Sequence, residues 1–132
     1  MSKLLILLIF STFFFASCAT KKPPEQPLPT GLTRTGEIFY GRASWYGGKF
    51  HNRKTANGEK FDKKDLTTAH RTLPFGTLLE VTNLANEKSV VVRVNDRGPF
   101  IKKRILDLSH RAAELLDFIK QGWTEVKAEI VQ

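Results

Sequence analysis

The sequence predicts a mainly β domain, a small closed barrel with one or two short helices, preceded by a leader and a Pro-rich linker. Three observations predict it. Short apolar runs, several with period-two alternation, recur between turn residues from Ile38 to Val131. Only His110–Phe118 carries clear helical spacing. The part able to fold is short, roughly 95 residues once the N-terminus is discounted, enough for one modest core. Several short strands in so little chain suggest a closed barrel, which leaves no sheet edge open.

Met1–Ser17 has one basic residue, Lys3, and then an apolar run from Leu4 to Phe15. That run is too short for a comfortable permanent span and fits a secretory leader. It ends Phe15-Ala16-Ser17-Cys18, and small residues before a cysteine resemble a bacterial lipobox, in which Cys18 is lipidated and becomes the new N-terminus. Several acyl chains anchor stably where one does not. The other reading is an ordinary leader cleaved nearby, or an uncleaved anchor. Ala19 rather than Asp after the cysteine resembles sorting to the outer membrane, facing the periplasm, in a Gram-negative host. Cys18 is the sole cysteine, so one chain can build neither a disulfide framework nor a thiolate zinc site.

Residues 18–36, from the lipidated Cys18 onward, read as an extended linker. They hold Pro23, Pro24, Pro27 and Pro29 and almost nothing to bury. The domain is expected over residues 37–132. Ile38–Tyr46 reads as a strand rich in Phe39, Tyr40, Trp45 and Tyr46, and Gly47-Gly48 ends it. Lys49–Lys60 is a basic loop of turn formers, and Phe61–Pro74 is irregular around Leu66–His70. Thr77–Asn83 and Ser89–Asn95 alternate and are joined by a short turn, so they form a hairpin. Arg104–Leu108 is a short strand. Ser109 is a good N-cap for a helix over His110–Phe118, with Ala112, Leu115, Leu116 and Ile119 on one stripe and Gly122 after it. Thr124–Val131 is the last strand, with Val126, Ala128 and Ile130 facing one way.

The most unusual stretch is Val90–Phe100. Val90, Val92 and Val94 share one face of a strand, and Asp96 is next on that parity. A buried, unpaired carboxylate is expensive, so Asp96 belongs at a rim, beside a partner such as Arg97, or facing a cleft. Gly98 and Pro99 then stop the strand. Two readings stand at this point: a turn in which Asp96 bonds its own backbone, or an acid held at the lip of a site.

The remaining polar candidates are Glu59, Asp62, His70 and Asp107. Carboxyls of this kind, beside aromatic faces such as Trp45 and Tyr46, fit glycoside cleavage, which needs a proton on the leaving oxygen. Each has a plainer reading. Trp45 and Tyr46 can be core, His70 can be a histidine satisfied by backbone, and Asp107 precedes a helix, where an acid is favoured anyway. His51, His70 and Asp96 have no recognised metal-ligand spacing, so neither a metal nor a cofactor is expected. The formal charge of +8 suits an anionic partner: nucleic acid, acidic lipid or a carboxylate-bearing polymer. No nucleic-acid module pattern, phosphate-cradling glycine loop or Gly-x-Ser-x-Gly motif is present.

Taken together, certain blocks resemble one family. They are Gly41-Arg42-Ala43-Ser44-Trp45-Tyr46-Gly47, Phe50-His51, Thr55-Ala56-Asn57-Gly58-Glu59, Leu66-Thr67-Thr68-Ala69-His70, Leu73-Pro74-Phe75-Gly76-Thr77, Val94-Asn95-Asp96-Arg97-Gly98-Pro99-Phe100, Arg104-Ile105-Leu106-Asp107-Leu108-Ser109 and Ala112-Ala113. In this order they look like the rare lipoprotein A (RlpA-like) family, from Gly41 to Val131. The resemblance implies a six-stranded double-psi β-barrel, a fold shared with expansins. It implies an endolytic lytic transglycosylase that cleaves the MurNAc-β-1,4-GlcNAc bond of peptidoglycan and leaves 1,6-anhydro-MurNAc ends, in wall remodelling or daughter-cell separation. Residue by residue, it implies Asp96 as the main acid/base, Glu59 and His70 as supporting residues in the same cleft, and Trp45, Tyr46, Asp62 and Arg97 as groove lining. It implies no cofactor. The expected partners are peptidoglycan glycan strands and, through the anchor, a membrane, with division-site proteins as further candidates and the protein itself a monomer. The rival expectation is a non-catalytic, expansin-like wall-binding lipoprotein. Many relatives add a C-terminal repeat that binds stripped glycan at the division site, whereas this sequence resembles the barrel alone.

Overall fold

In the computed structural model, which describes residues 25–132, strand β1 (Arg34–Trp45) leads through a 3-10 turn at Gly48–Phe50 to β2 (Thr67–Ala69) and β3 (Leu78–Asn83). Next along the chain come β4 (Ser89–Asp96), β5 (Arg104–Leu108), helix α1 (His110–Leu115) and β6 (Trp123–Val131). The six strands close a barrel in the order β1-β5-β2-β4-β3-β6. Two neighbouring pairs are parallel, β1 with β5 and β2 with β4, and the other four are antiparallel. The leader and Cys18 lie outside the described residues.

The core follows from strand parity. Val92 and Val94 of β4, Leu79 and Val81 of β3, Leu106 and Leu108 of β5, and Val126 and Ala128 of β6 are all buried inside the barrel. Helix α1 adds Ala112 and Ala113, and the chain after it adds Leu116 and Phe118. Ser109 caps the helix as expected, its hydroxyl accepting from Ala112 N at 3.3 Å. The helix is shorter than the expected His110–Phe118. Leu116 is its C-cap and Asp117 turns left-handed at φ 58°, which ends the stripe and leaves Leu115 exposed.

Two features depart from the sequence reading. Residues 67–69 were expected to be irregular, yet β2 pairs with β4 on one side and β5 on the other, and all three of its residues are buried. Its neighbours make it a strand. At the other end, β1 starts at Arg34, inside the stretch expected to be linker. Thr33 N donates to Gln132 O at 2.7 Å, and Gln132 N donates back to Thr33 O at 3.0 Å. Arg34 then forks onto Glu80, Nε to Oε2 at 2.7 Å and Nη2 to Oε1 at 2.9 Å. Glu80 is the register partner of Glu129, and each is only 4% exposed. Ile130 pairs with core residue Leu79 and packs against the core with Val126 and Ala128, as expected, whereas Glu129 lies on the opposite face, where Arg34 covers it together with Glu80.

The barrel's register levels one end. Ser44 pairs with Asp107, Asp107 with Ala69, and Ala69 with Asp96. Four strand ends therefore present their next residues, Tyr46, His70 and Arg97 among them, around one rim.

Candidate active site

Asp96 is the last residue of β4, and its carboxylate faces this rim with three donors on it. Oδ1 accepts from Ala56 N at 2.9 Å and from Arg97 N at 2.8 Å, and Oδ2 accepts from the Tyr46 hydroxyl at 3.0 Å. The turn reading is thus realised in part. Asp96 does bond the next backbone amide, as in a turn, but it also gathers a loop and a phenol from far along the chain.

The loop arrives by its own hairpin. Lys54 bridges Lys60, Phe61 N donates to Arg53 O at 2.7 Å, and Thr55 N donates to Glu59 O at 2.7 Å. Gly58 permits the tight tip with φ at +92°. Asn57 N then reaches Asn95 O at 3.3 Å, which brings Ala56 to Asp96.

The resulting cleft, about 240 Å³, is lined by Tyr46, Phe50, Arg53, Lys54, Thr55, Phe61 and Asp96. Asp96 is the only acid among the described residues that line it. Tyr46 packs edge-on against Phe61 at 5.1 Å between centroids and tilted against Phe50 at 5.4 Å. Burial, and then the charge of Asp96, push the Tyr46 phenol well above its ordinary range, so it is a neutral donor. Behind it, Ser44, Asp107 and Arg104 form a tight hydrogen-bonded trio. The sequence reading missed Phe50, Phe61, Arg53 and Lys54 as walls. The available signal was a pair of aromatics bracketing a basic, turn-rich loop.

The other expected site residues take different roles. Trp45 does not line the cleft: adjacent strand residues face opposite ways, so Tyr46 meets Asp96 while Trp45 packs on the core and edge-on against His110 at 5.1 Å. Asp62 does not line it either, its Oδ1 closing a local turn on Lys64 N at 2.8 Å. Arg97 turns away from the cleft. Its Nη1 donates to Leu73 O at 2.8 Å and His70 O at 3.3 Å, and its guanidinium lies 3.9 Å from the Phe75 ring centroid.

Glu59 and His70, expected in the same cleft, do not line it, and neither has a side-chain hydrogen bond to Asp96. Glu59 bonds the opposite face of β4. Arg93 forks onto it at 2.7 and 2.9 Å, the Asn57 amide donates at 2.8 Å and Asn95 at 3.4 Å. The Arg93 fork and then the Asn57 amide hold its carboxyl down at about 2. It is therefore an anion at neutral pH, an ion-paired brace for the loop and a poor proton donor. His70 N donates to Asp96 O at 3.1 Å, but its ring serves the next turn, Nδ1 accepting from Thr72 N at 3.1 Å and Leu73 N at 3.0 Å. Burial, then Arg97 and Arg71, lower its pKa, so the ring is held neutral.

The Glu59 pairing sets one pH expectation. A carboxyl whose folded pKa lies below its unfolded value stabilises fully above the unfolded value and loses that support as pH falls through the folded one. For Glu59 the window runs from 4.5 down to about 2. Glu59→Gln should thus flatten the stability loss of the protein between those limits, as read by urea midpoints at successive pH values. The effect should be modest, since the pair is partly exposed.

Comparisons with known proteins show the family and the fold. A family model described as lytic transglycolase matches residues 38–128. The endolytic peptidoglycan transglycosylase RlpA of Rickettsia felis is 59% identical over 92 residues, covering 67% of this chain and 40% of the relative. That of Campylobacter jejuni is 53% identical over 100 residues, covering 76% and 36% respectively. The chain thus spans well under half the length of these two relatives. Among solved structures, an expansin from Clavibacter michiganensis superposes with a TM-score of 0.60 at 22% identity, over 73% of this chain and 51% of that one. That is a likeness of fold, and the barrel is of the expected double-psi type.

Proposed function

Because the chain belongs to the lytic transglycolase family, we propose that it is an endolytic peptidoglycan transglycosylase whose acid/base is Asp96. One observation carries the assignment: among the described residues, Asp96 is the single carboxylate lining a cleft walled by Tyr46, Phe50 and Phe61 and rimmed by Arg53 and Lys54. Aromatic walls suit sugar rings, and the cations suit an anionic polymer.

The chemistry needs one group that gives a proton and takes one back. Protonated Asp96 passes its proton to the O4 of the departing GlcNAc as the C1–O4 bond of MurNAc breaks. The MurNAc C6 hydroxyl then attacks C1, and its proton returns to the Asp96 carboxylate. The product is a 1,6-anhydro-MurNAc end, and no water enters. The spacing rule for paired carboxylates in glycoside hydrolases therefore need not apply. Tyr46 and the amides of Ala56 and Arg97 hold the carboxylate in place. Glu59 supports through the loop tip and His70 through the turn after β2.

The leader pattern and Cys18 support a lipid-anchored protein of the cell envelope, with the barrel within reach of the wall. Digestion of peptidoglycan with the purified full chain, intact and amidase-stripped, and mass analysis of the products should reveal anhydro-muropeptides. Sedimentation with the wall and no anhydro product would instead favour the expansin-like binding reading.

A further inference from the structure

The cleft holds more positive charge than the proton transfer uses. Arg53 and Lys54 line it together with Asp96. Both are exposed, and neither side chain forms an ion pair among the described residues. Arg53 has an aromatic contact alone, its guanidinium 5.6 Å from the Phe50 ring centroid. Elsewhere in the barrel the arginines are committed: Arg42 to Glu125, Arg93 to Glu59, Arg104 to Asp107, and Arg71 and Arg97 to backbone carbonyls. Asp96 is no partner for the two cations. Its oxygens already accept from Tyr46, Ala56 N and Arg97 N, and the reaction needs it protonated.

The two cations are fixed at their base. Arg53 N donates to Phe50 O at 3.1 Å, and Arg53 O accepts from Phe61 N at 2.7 Å. Lys54 bridges Lys60 across the hairpin. The next residue, Thr55, is buried, and its hydroxyl donates to Asn57 Oδ1 at 2.6 Å. Charges on a fixed loop lose less freedom when they meet a ligand. A guanidinium whose fork is free matches a carboxylate in shape as well as in charge.

Peptidoglycan brings one acid to this position. The bond that Asp96 serves starts at C1 of MurNAc, and the same ring carries a lactyl ether at O3. In a strand stripped by an amidase, that lactyl group ends in a free carboxylate. In a peptide-bearing strand the same carboxyl is a neutral amide, extended by the stem peptide, and the GlcNAc ring has no acid. We propose that Arg53 and Lys54 are specificity-determining residues, which bind the free lactyl carboxylate of the MurNAc whose C1 reacts, Arg53 through its fork and Lys54 as a point charge. The inference rests on the peptidoglycan reading of the cleft and gives the two cations a task beyond general attraction of a polyanion. Stem peptides bear carboxylates of their own, a second source of the same chemistry. Those lie beyond the amide and further from the ring, so a cleft of about 240 Å³ built around Asp96 meets the lactyl carboxylate first.

The test measures binding of soluble glycan strands to the full chain carrying Asp96→Asn, so that strands stay uncut, with and without R53Q/K54Q. Three kinds of strand are compared: amidase-stripped, amidase-stripped and then methylamidated by carbodiimide coupling, and uncrosslinked peptide-bearing. With both cations present, the stripped strand should bind about tenfold more tightly than its methylamidated form, the scale of two partly exposed charge contacts. R53Q/K54Q should erase most of that ratio, with a smaller loss on the peptide-bearing strand. Arg53→Lys should keep part of it, since the charge remains without the fork. The ratio should shrink as salt rises. An unchanged ratio in R53Q/K54Q, an equal loss on all three strands, or a loss largest on the peptide-bearing strand would overturn the assignment. Anhydro ends are scored separately with Asp96 intact. If none form while the cation-dependent ratio persists, the catalytic reading fails and the assignment stands. If they form while the ratio does not depend on Arg53 and Lys54, the assignment fails alone.

Discussion

Asp96→Asn should lower the release of anhydro-muropeptides by roughly 10²–10⁴-fold, the usual worth of a positioned acid/base, while the barrel stays folded. The carboxamide keeps the geometry. Its oxygen can accept from Ala56 N and Arg97 N as Oδ1 does now, and its nitrogen can face the Tyr46 oxygen. What it cannot do is carry and return a proton. The thermal midpoint should therefore hardly move while turnover collapses. An independent readout is the Tyr46 phenol. Part of its upward displacement comes from the charge of Asp96, so an ultraviolet titration of the tyrosines should show one phenol ionising earlier in the variant. Glu59→Gln should cost less turnover, because Glu59 acts on the site only through the loop it braces. Equal losses for the two variants would move the proton transfer onto Glu59, against its locked, ion-paired state.

Much of this was legible along the chain, and where it was not, the reason is physical. The β3–β4 hairpin could be read because alternation over six to eight residues is a strong signal. The Ser109 cap was equally plain, since capping is local. β2 could not be read, because three residues, Thr67-Thr68-Ala69, are too few to display a period. The pair Trp45 and Tyr46 shows a sharper limit. Period two says that only one of them faces the site, and it is the burial of Ala43, two residues before Trp45, that decides which. The placement of Glu59 was hidden for another reason. Its partner Arg93 is 34 residues away, on the β4 face opposite Asp96, and no spacing rule pairs residues across such a gap.

Arg34 extends that last point to stability. The stretch around it is rich in proline and polar residues, with no apolar pattern, and so reads as linker. Yet Arg34 holds Glu80 in a fork and stands 3.9 Å from Glu129, and both acids are almost wholly buried. The two acids are register partners on β3 and β6, so their charges face the same small volume. Lys127 also approaches Glu129, at 3.5 Å, but among the described residues no cation besides Arg34 bonds Glu80. Removing one member of a buried pair leaves the other charge uncompensated, at a cost of about 3–5 kcal/mol. Arg34→Met should therefore remove that much of a total expected to be about 5–15 kcal/mol, read as a large fall in the urea midpoint at neutral pH. Arg34→Lys should fall between, since an ammonium keeps the charge but not the fork. The decisive variant is Arg34→Met with Glu80→Gln. If the loss reflects an uncompensated carboxylate, neutralising Glu80 restores most of the midpoint. If it reflects lost packing of the N-terminal segment, the double variant stays as weak as the single one.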